Sequence, residues 1–324
     1  MEKKPAGGKS SCASDRAPAP VDAPGRPSVP PPADDPEMVE ARTQYLALRK
    51  EIRPDSDTQQ RLARARHRVY TTVLDGNLTC SKLPSRLKRV LDVGSGIGCW
   101  AVDIARRHPE AQVTCLDHHA VRLADAPANV SFLAADLNRA WPVAPNSLDL
   151  IHVRAMSDDV VSWPFVLAQA LKMLRPGGQL EVAEIRPRFW DFDGLFAVTD
   201  ALPEGEKMSA ELSAKMGVDL DPSVNLPMWL DDAGFERAAQ RSEILPVGDW
   251  SKDAKLHQRA TVYREMLELS GWEGKSRQLF VSSGWDLPRY TALVNRMKES
   301  IMSGGVRVYM TAVFTTCRRP ADEQ

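Results

Sequence analysis

The sequence predicts an α/β fold with a mostly parallel sheet, and three features of the chain from residue 85 onwards support it. Short apolar segments, several of them rich in β-branched residues, recur along the chain, and segments of helical periodicity separate them. A glycine-rich turn over residues 94–98 joins the first of these strands to the helix that follows. Continuous apolar strands separated by helices are typical of a parallel sheet covered by helices on both faces.

The predicted elements follow in a regular order. Strands are predicted at 89–93, 112–117, 130–136, 148–153 and 179–185. Helices are predicted at 99–108 and 163–175, the second of which stops at Pro176-Gly177-Gly178. Further along are predicted helices at 204–216 and 226–235, a strand within 236–245, mostly helical sequence from 250 to 303 and a last strand at 306–316. A helical insertion is therefore expected before the final strand.

The chain before the first strand divides into two parts. Residues 1–36 are rich in Pro, Ala, Gly and Ser and are predicted to form a disordered tail, because they cannot bury enough apolar surface to offset their ordering entropy. Residues 37–84 are predicted to form a helical cap. Ser56 with Gln59 resembles a capping box, and Gly76 can end the helix in a left-handed conformation.

Composition argues against several classes of protein. The 42 basic and 43 acidic residues give a formal net charge of −1, so neither a nucleic-acid partner nor an electrostatic membrane partner is expected. No apolar run approaches the roughly 18 residues of a transmembrane helix, and the first residues lack the apolar region of a secretory signal. The five cysteines are scattered, which predicts neither structural zinc nor a disulfide framework. A cytoplasmic or nuclear location is expected.

The turn Asp92-Val93-Gly94-Ser95-Gly96-Ile97-Gly98 is the central motif. Its glycines let the backbone turn sharply and approach a ligand closely, although a purely structural tight turn is the alternative. The turn lacks the Gly-Lys-Ser/Thr of a phosphate-binding P-loop. It also has Cys99 where a dinucleotide fingerprint needs its last glycine.

Three carboxylates at the ends of three successive predicted strands indicate the ligand. Asp92 would repel a pyrophosphate but suits a ligand with an ammonium and a sulfonium, such as S-adenosylmethionine (SAM). Asp117 can accept hydrogen bonds from ribose hydroxyls, and Asp136 can accept one from an adenine amino group. Each alone could be a solvated residue at a strand end. The predicted cofactor-binding residues are Asp92, Gly94, Ser95, Gly96, Gly98, Asp117, His118, Asp136 and Leu137.

The motif from Asp92-x-Gly-x-Gly-x-Gly98 through Leu174-Arg175-Pro176-Gly177-Gly178 resembles that of the class I SAM-dependent methyltransferases. More narrowly, the chain resembles the fungal LaeA-like methyltransferases of secondary metabolism over about residues 56–320. The segments that carry the narrower resemblance include Arg61-x5-His67, Leu74-Asp75-Gly76, Ile151-His152-Val153-Arg154-Ala155-Met156, Trp163-Pro164, Ala233-Gly234-Phe235, Pro246-x3-Trp250-x2-Asp253 and the tail from Tyr309 to Pro320. The chain departs from the usual pattern at Ser95-Gly96-Ile97-Gly98, usually Thr-Gly-Thr-Gly, and at Asp117-His118-His119, usually Asp-Leu-Ser.

The resemblance implies a Rossmann-like class I methyltransferase sheet, parallel with an antiparallel final strand. The SAM-binding domain would span residues 85–320 and include a helical lid at about 186–303. The implied function is methyl transfer from SAM to a small-molecule acceptor, without metal. The alternative is a LaeA-like nuclear regulator that acts through protein partners, with weak or unassigned methyltransferase activity. A nucleotide-dependent oxidoreductase is disfavoured by the glycine spacing and by Asp92.

The candidate catalytic residues are His152 and Arg154, at the end of the fourth predicted strand. Methyl transfer requires alignment of the acceptor with the methyl group and, for some acceptors, removal of a proton. Alternation along the strand puts both side chains on one side of the sheet, and a histidine can act as a base near neutral pH. The alternative is a packing and hydrogen-bonding pair that holds the loop up to Trp163. His67 and Glu184 are weaker candidates.

Overall fold

The structure is a computed structural model that describes residues 36–51, 56–119, 121, 123–194, 201–272, 276–303 and 306–321. Apart from Pro36, the predicted tail at residues 1–36 lies outside these ranges.

An eight-stranded mixed sheet forms the centre of the described part of the chain. Its strands are β1 (Arg89–Val93), β2 (Gln112–Asp117), β3 (Val130–Ala134), β4 (Leu148–Arg154), β5 (Leu174–Ile185), β6 (Trp190–Asp191), β7 (Glu236–Pro246) and β8 (Val308–Arg318). The strand order is β3-β2-β1-β4-β5-β8, and the pairs from β3 to β5 are all parallel. β8 is antiparallel to β5, while β6 and β7 pair with β8 on opposite edges. The predicted parallel sheet with an antiparallel final strand is confirmed.

Nine helices surround the sheet within the described ranges. They are α1 (Pro36–Glu51), α2 (Asp57–Val73), α3 (Cys99–Arg107), α4 (Trp163–Met173), α5 (Ala201–Met216), α6 (Leu226–Asp232), α7 (Ala254–Leu269), α8 (Ser276–Ser282) and α9 (Leu287–Met302). A 3-10 turn spans Pro222–Val224. None of the helices in these ranges is long and apolar enough to cross a membrane.

The limits of β1 and β2 match their predictions, whereas the passage from α4 into β5 does not. Leu174 already pairs with Leu148, and the next pair is Leu150 with Gln179, so four residues of β5 bulge out between these pairs. The helix predicted to reach residue 175 therefore ends at Met173, and β5 starts five residues early. The prediction placed the start of β5 after Pro176-Gly177-Gly178, because Pro and Gly are uncommon inside strands; here they lie in the bulge.

The local signals at the ends of α2 are confirmed. The Ser56 side chain accepts a hydrogen bond from the Gln59 N–H at 3.3 Å, which is the expected N-cap. After the helix, Gly76 has a φ of +86°, and its N–H donates to the Thr71 carbonyl at 2.7 Å. This is the left-handed ending that glycine permits.

Both faces of the parallel sheet are covered. Val90 and Leu150 pack against α3, whereas their neighbours Leu91 and Ile151 pack against α4 and α6. This alternation explains why β1 and β4 are buried at nearly every position rather than at every second one.

A second helical group lies beyond the carboxyl ends of the strands. α2 and α7 pack on each other and on β8, with Tyr70, Tyr263 and Phe314 in their shared core. α1, α5 and α8 join around Tyr45 and Leu279, and α9 packs on α5 and α8. The helical insertion predicted before the last strand is confirmed, and its helices enclose the ends of β1, β2 and β4.

Candidate cofactor and acceptor cavity

The glycine-rich turn leaves β1 in a left-handed conformation at three positions. The φ angles of Gly94, Gly96 and Gly98 are +68°, +57° and +81°. The Gly94 N–H donates to the carbonyl of Leu116 in β2 at 2.8 Å, and α3 starts directly after Gly98. A side chain is strained in this region of φ, so the local fold itself requires the glycines.

The three glycines have different surroundings. A Cβ atom on Gly94 would lie 2.1 Å from the Met156 Sδ, and one on Gly98 would lie 3.0 Å from the Phe132 ring. A Cβ atom on Gly96 would meet nothing within 4 Å, although Gly96 borders a large cavity. Gly94 and Gly98 therefore allow close packing, while Gly96 leaves open space beside the turn for a ligand.

Asp117 ends β2 beside this space. One carboxylate oxygen accepts from the Gly96 N–H at 2.8 Å, and the other accepts from the His119 N–H at 3.2 Å. Burial raises the pKa of Asp117, and the two backbone N–H groups oppose the shift. A carboxylate has about four acceptor positions, so Asp117 keeps acceptor capacity toward the cavity.

Asp136 interacts with its own loop. Its carboxylate accepts from the Asn138 N–H at 2.9 Å and lies 3.5 Å from the His118 Nε2. His118 and Leu137 border the cavity, whereas Asp136 is absent from the described residues that line it. The direct contact between Asp136 and adenine stays a prediction.

His152 is enclosed in the sheet core. Its ring stacks on Trp100 with centroids 3.7 Å apart and an angle of 4° between the planes. Its Nδ1 lies 2.8 Å from the Asp92 Oδ1, and the side chains of His152 and Asp92 are only 2% and 5% exposed. This surrounding favours the packing and hydrogen-bonding alternative for His152, with Trp100 and Asp92 as its partners.

Arg154 has a different position, although it lies on the same side of β4. β1 ends at Val93, opposite Val153, so Arg154 extends past the last residue of its neighbouring strand. Its Nη2 lies 3.1 Å from the His67 Nδ1, and its guanidinium carbon is 5.0 Å from the centroid of the Tyr70 ring. Arg154 borders the cavity.

The cavity has a volume of about 650 Å³ and extends from the glycine-rich turn to the helical group. Ligand sites commonly fall in the range of roughly 300–1,000 Å³. Among the predicted site residues, those on its wall are Gly94, Gly96, Asp117, His118, Leu137 and Arg154. The remaining predicted residues are not among the described residues that line the cavity; they are Asp92, Ser95, Gly98, Asp136 and His152.

Sequence reasoning missed one wall of the cavity. Tyr45, Tyr70, Tyr263, Met266 and Met310 line it from α1, α2, α7 and β8. The available signal was the apolar face of α2, on which Tyr70 lies. Glu184, a weak candidate in the sequence, also borders the cavity, and its Oε1 accepts from the Met156 N–H at 2.7 Å. In the described ranges, no group of three or more His, Cys, Asp or Glu side chains is arranged to hold a metal ion.

Residues 90–178 match the family model described as a methyltransferase domain. The matched segment runs from β1 to the bulge of β5, so it contains the glycine-rich turn, Asp117, Asp136 and Arg154. The chain therefore contains a methyltransferase domain, and its fold is that of the class I methyltransferases.

The chain is also similar to particular fungal proteins and to solved methyltransferase structures. The chain is 29% identical over 256 residues to methyltransferase pytC of Aspergillus terreus, covering 78% of each chain. It is 28% identical over 265 residues to the secondary metabolism regulator laeA of Aspergillus fumigatus, covering 78% of this chain and 68% of that one. Among solved structures, phosphoethanolamine N-methyltransferase 2 of Haemonchus contortus, in complex with SAM, has a TM-score of 0.52 and 16% identity. That comparison covers 85% of this chain and 60% of the other, and it shows the shared fold.

Proposed function

We propose that this methyltransferase acts on a small-molecule acceptor in secondary metabolism. The observation that carries the proposal is a single cavity with two unlike walls. One wall contains Gly96 and Asp117 of the sheet, and the other contains buried side chains of α2, α7 and β8. A concave site of this size suits a small acceptor better than an exposed segment of a protein. The fungal relatives named above support the setting in secondary metabolism.

The sheet wall fits SAM. Gly96 leaves space for the ligand, Asp117 offers carboxylate oxygens to the ribose, and His118 and Leu137 flank the region proposed for adenine. SAM supplies a methyl group on a sulfonium sulfur, which leaves as a neutral thioether. In this proposal Asp92, Ser95, Gly98 and Asp136 hold the wall in shape, and His152 maintains the orientation of Asp92.

The helical wall suits an acceptor with a large apolar surface. Tyr70 and Tyr263 are almost fully buried, and the Tyr263 hydroxyl lies 3.1 Å from the Met310 Sδ. Aromatic rings and methionines together accommodate flat or irregular apolar molecules. Glu184 is the carboxylate at the end of β5 and is the proposed base for an acceptor that must lose a proton.

The helical segments have proposed roles in enclosing the ligands. We propose that residues 37–84 act as a cap, since Tyr45, Arg66 and Tyr70 of α1 and α2 border the cavity. The lid within residues 186–303 would be formed by α5, α7 and α8, which contribute Ser209, Tyr263 and Leu279. A closed site excludes water from the reacting groups.

Two measurements test the proposed function. Calorimetry should detect binding of S-adenosylhomocysteine and no useful affinity for NAD; binding of NAD alone would overturn the cofactor assignment. Incubation of fungal metabolite extracts with the chain and methyl-labelled SAM should then place the label in a small molecule, as seen by mass spectrometry. Label found only in proteins would contradict the small-molecule acceptor.

A regulatory role is the second candidate, because a laeA regulator is about as similar to the chain as pytC is. Such a role would require a surface for protein partners in the nucleus. The large exposed apolar residues in the described ranges are spread over five elements: α1, the 3-10 turn, α6, α8 and α9. One face of α7 packs in the core beside the cavity through the buried Tyr263, which favours the small-molecule enzyme. A cytoplasmic or nuclear location stays a prediction from the sequence.

A further inference from the structure

Three side chains from three elements form a line that ends at the cavity. The Asp103 Oδ2 of α3 lies 2.9 Å from the His67 Nε2 of α2. The His67 Nδ1 lies 3.1 Å from the Arg154 Nη2 at the end of β4. The side chain of His67 is 11% exposed and that of Asp103 is 37% exposed, so the line runs from the surface inward.

The partners determine the protonation of His67. Arginine can only donate hydrogen bonds, so the His67 Nδ1 must accept from Arg154. The His67 Nε2 therefore carries the proton and donates a hydrogen bond to the Asp103 carboxylate. This is the neutral imidazole, and burial accordingly lowers the pKa of His67, with Arg154 adding to the shift and Asp103 and Asp92 opposing it.

This arrangement orients a guanidinium without neutralising it. In the described part of the chain, His67 is the one hydrogen-bond partner of the Arg154 guanidinium, which has five N–H donors. The Tyr70 ring packs on the guanidinium, 5.0 Å from its carbon atom. Because Arg154 borders the cavity, its remaining donors are available to a ligand there.

The position of Arg154 beside the glycine-rich turn indicates which group of a bound ligand its guanidinium would contact. β4 extends one residue past Val153, which pairs with Val93, so Arg154 lies beside the first residues of the glycine-rich turn. Burial lowers the pKa of Arg154, and nearby Asp92 opposes that shift. Asp92 would repel a ligand carboxylate at the turn, and such a group needs a cation close by. The arginines on the cavity wall in the described ranges are Arg66 and Arg154, and Arg154 is the one at the turn.

We propose that Arg154 binds the methionine carboxylate of SAM, and that His67 and Asp103 are positioning residues that orient its guanidinium. The proposal rests on the chain's use of SAM and assigns residues within that same site. Arg154 thereby becomes a cofactor-binding residue, and its interaction can be measured without knowledge of the acceptor.

Calorimetry with two ligands tests the role of Arg154. S-adenosylhomocysteine contains the carboxylate, whereas its decarboxylated analogue, S-adenosyl-3-thiopropylamine, lacks it. Arg154→Met should weaken binding of S-adenosylhomocysteine by about tenfold or more, since it removes a charge-assisted hydrogen bond, and leave the analogue within about twofold of the wild type. Arg64→Met is the matched control on an exposed position of α2 and should bind both ligands normally.

Unchanged binding of S-adenosylhomocysteine by Arg154→Met, or an equal loss for both ligands, would overturn the proposal. If Arg154→Met does not fold, Arg154→Lys keeps the charge and should retain part of the discrimination between the two ligands. Equal affinity of Arg154→Lys for S-adenosylhomocysteine and its decarboxylated analogue would also contradict the proposal. A wild-type chain that binds neither ligand would instead contradict the use of SAM itself.

The pH dependence tests the positioning residues separately. When pH falls below the lowered pKa of His67, protonation puts a hydrogen on Nδ1 and removes the acceptor for Arg154. The affinity of wild type for S-adenosylhomocysteine should then decline, while that for the decarboxylated analogue should not. His67→Gln offers a neutral acceptor at every pH and should abolish the decline. If His67→Gln shows the same decline, or if wild type shows it with both ligands, His67 does not position Arg154. The charged groups that face His67 are Asp103, Arg154 and Asp92.

Discussion

At the scale of single residues, the Asp117 carboxylate connects the glycine-rich turn to the loop after β2, because it accepts from both Gly96 and His119. Asp117→Ala should lower the affinity for SAM by about tenfold or more, since each charge-assisted hydrogen bond to the ribose contributes roughly 1.5–3 kcal/mol. Calorimetry on a folded variant measures this. Asp125→Ala, at an exposed residue paired with Arg106, is the control and should bind normally. An unchanged dissociation constant for Asp117→Ala would exclude Asp117 as a ribose ligand.

Gly96 provides a second prediction at this scale. Gly96→Val should abolish measurable SAM binding, because the new side chain would enter the cavity from a left-handed position that already strains any side chain by about 1–2 kcal/mol. Gly76→Val separates the two effects, since Gly76 also has a positive φ and open space but lies away from the cavity. It should lower the melting temperature and leave SAM affinity intact. Normal SAM binding by Gly96→Val would mean that the cofactor does not approach this turn.

His152 provides a third prediction at the scale of single residues. His152→Ala removes the partner of the buried Asp92 carboxylate and the ring stacked on Trp100, so the expected loss is on the order of 3 kcal/mol of stability. Melting temperature and SAM affinity should fall together. The exposed His257 of α7 is the matched control, and His257→Ala should change neither. A variant that melts and binds SAM like the wild type but has lost turnover would restore His152 as the base.

At the scale of elements, α5 is attached to the segment after β5 through Glu206, whose carboxylate accepts from the Phe189 N–H. Burial raises the pKa of Glu206 from 4.5 to about 7, and the Phe189 N–H and Arg188 oppose the shift. The folded chain therefore holds this proton more tightly than the unfolded chain. The stability that it contributes is present below about pH 4.5 and is lost as pH rises to about 7.

The melting temperature of the wild type should accordingly contain a component that decreases from pH 5 to pH 7. Glu206→Gln, which keeps an acceptor oxygen and cannot ionise, should remove that component. Glu204→Gln changes an exposed residue of the same helix that pairs with Arg296, and should preserve it. Identical pH profiles for wild type and Glu206→Gln would show that α5 is not attached in this way.

At the scale of the whole molecule, the buried core residues of the sheet and of the helices around it begin with Tyr45 in the described ranges. A chain that begins at Glu37 should therefore keep its melting temperature and SAM affinity, because the composition of residues 1–36 provides no apolar core. Thermal unfolding and calorimetry of the shortened chain measure both quantities. A loss in either would mean that the first 36 residues contribute to the folded domain.

Contacts between distant parts of the chain build the second wall of the cavity. Arg68 of α2 pairs with Glu265 of α7 at 2.8 Å, and the Arg259 Nη2 donates to the Val73 carbonyl at 2.9 Å. These pairs are separated by 197 and 186 residues. The periodicity of α2 predicts an apolar face, but it contains no information on which helix covers that face.

The sequence by itself determined the parallel strands, the glycine-rich turn and the carboxylate at the end of β2. These features depend on local preferences: apolar β-branched runs, left-handed positions that require glycine, and the rule that ligands bind at the carboxyl ends of strands. Only the tertiary structure decided the different environments of His152 and Arg154, which alternation puts on the same side of β4. His152 lies opposite Asp92 within the sheet and is covered by α3, whereas Arg154 extends past the end of β1 and meets His67. The physical reason is that strand register and helix packing join residues far apart in the chain, and a single strand does not specify its neighbours.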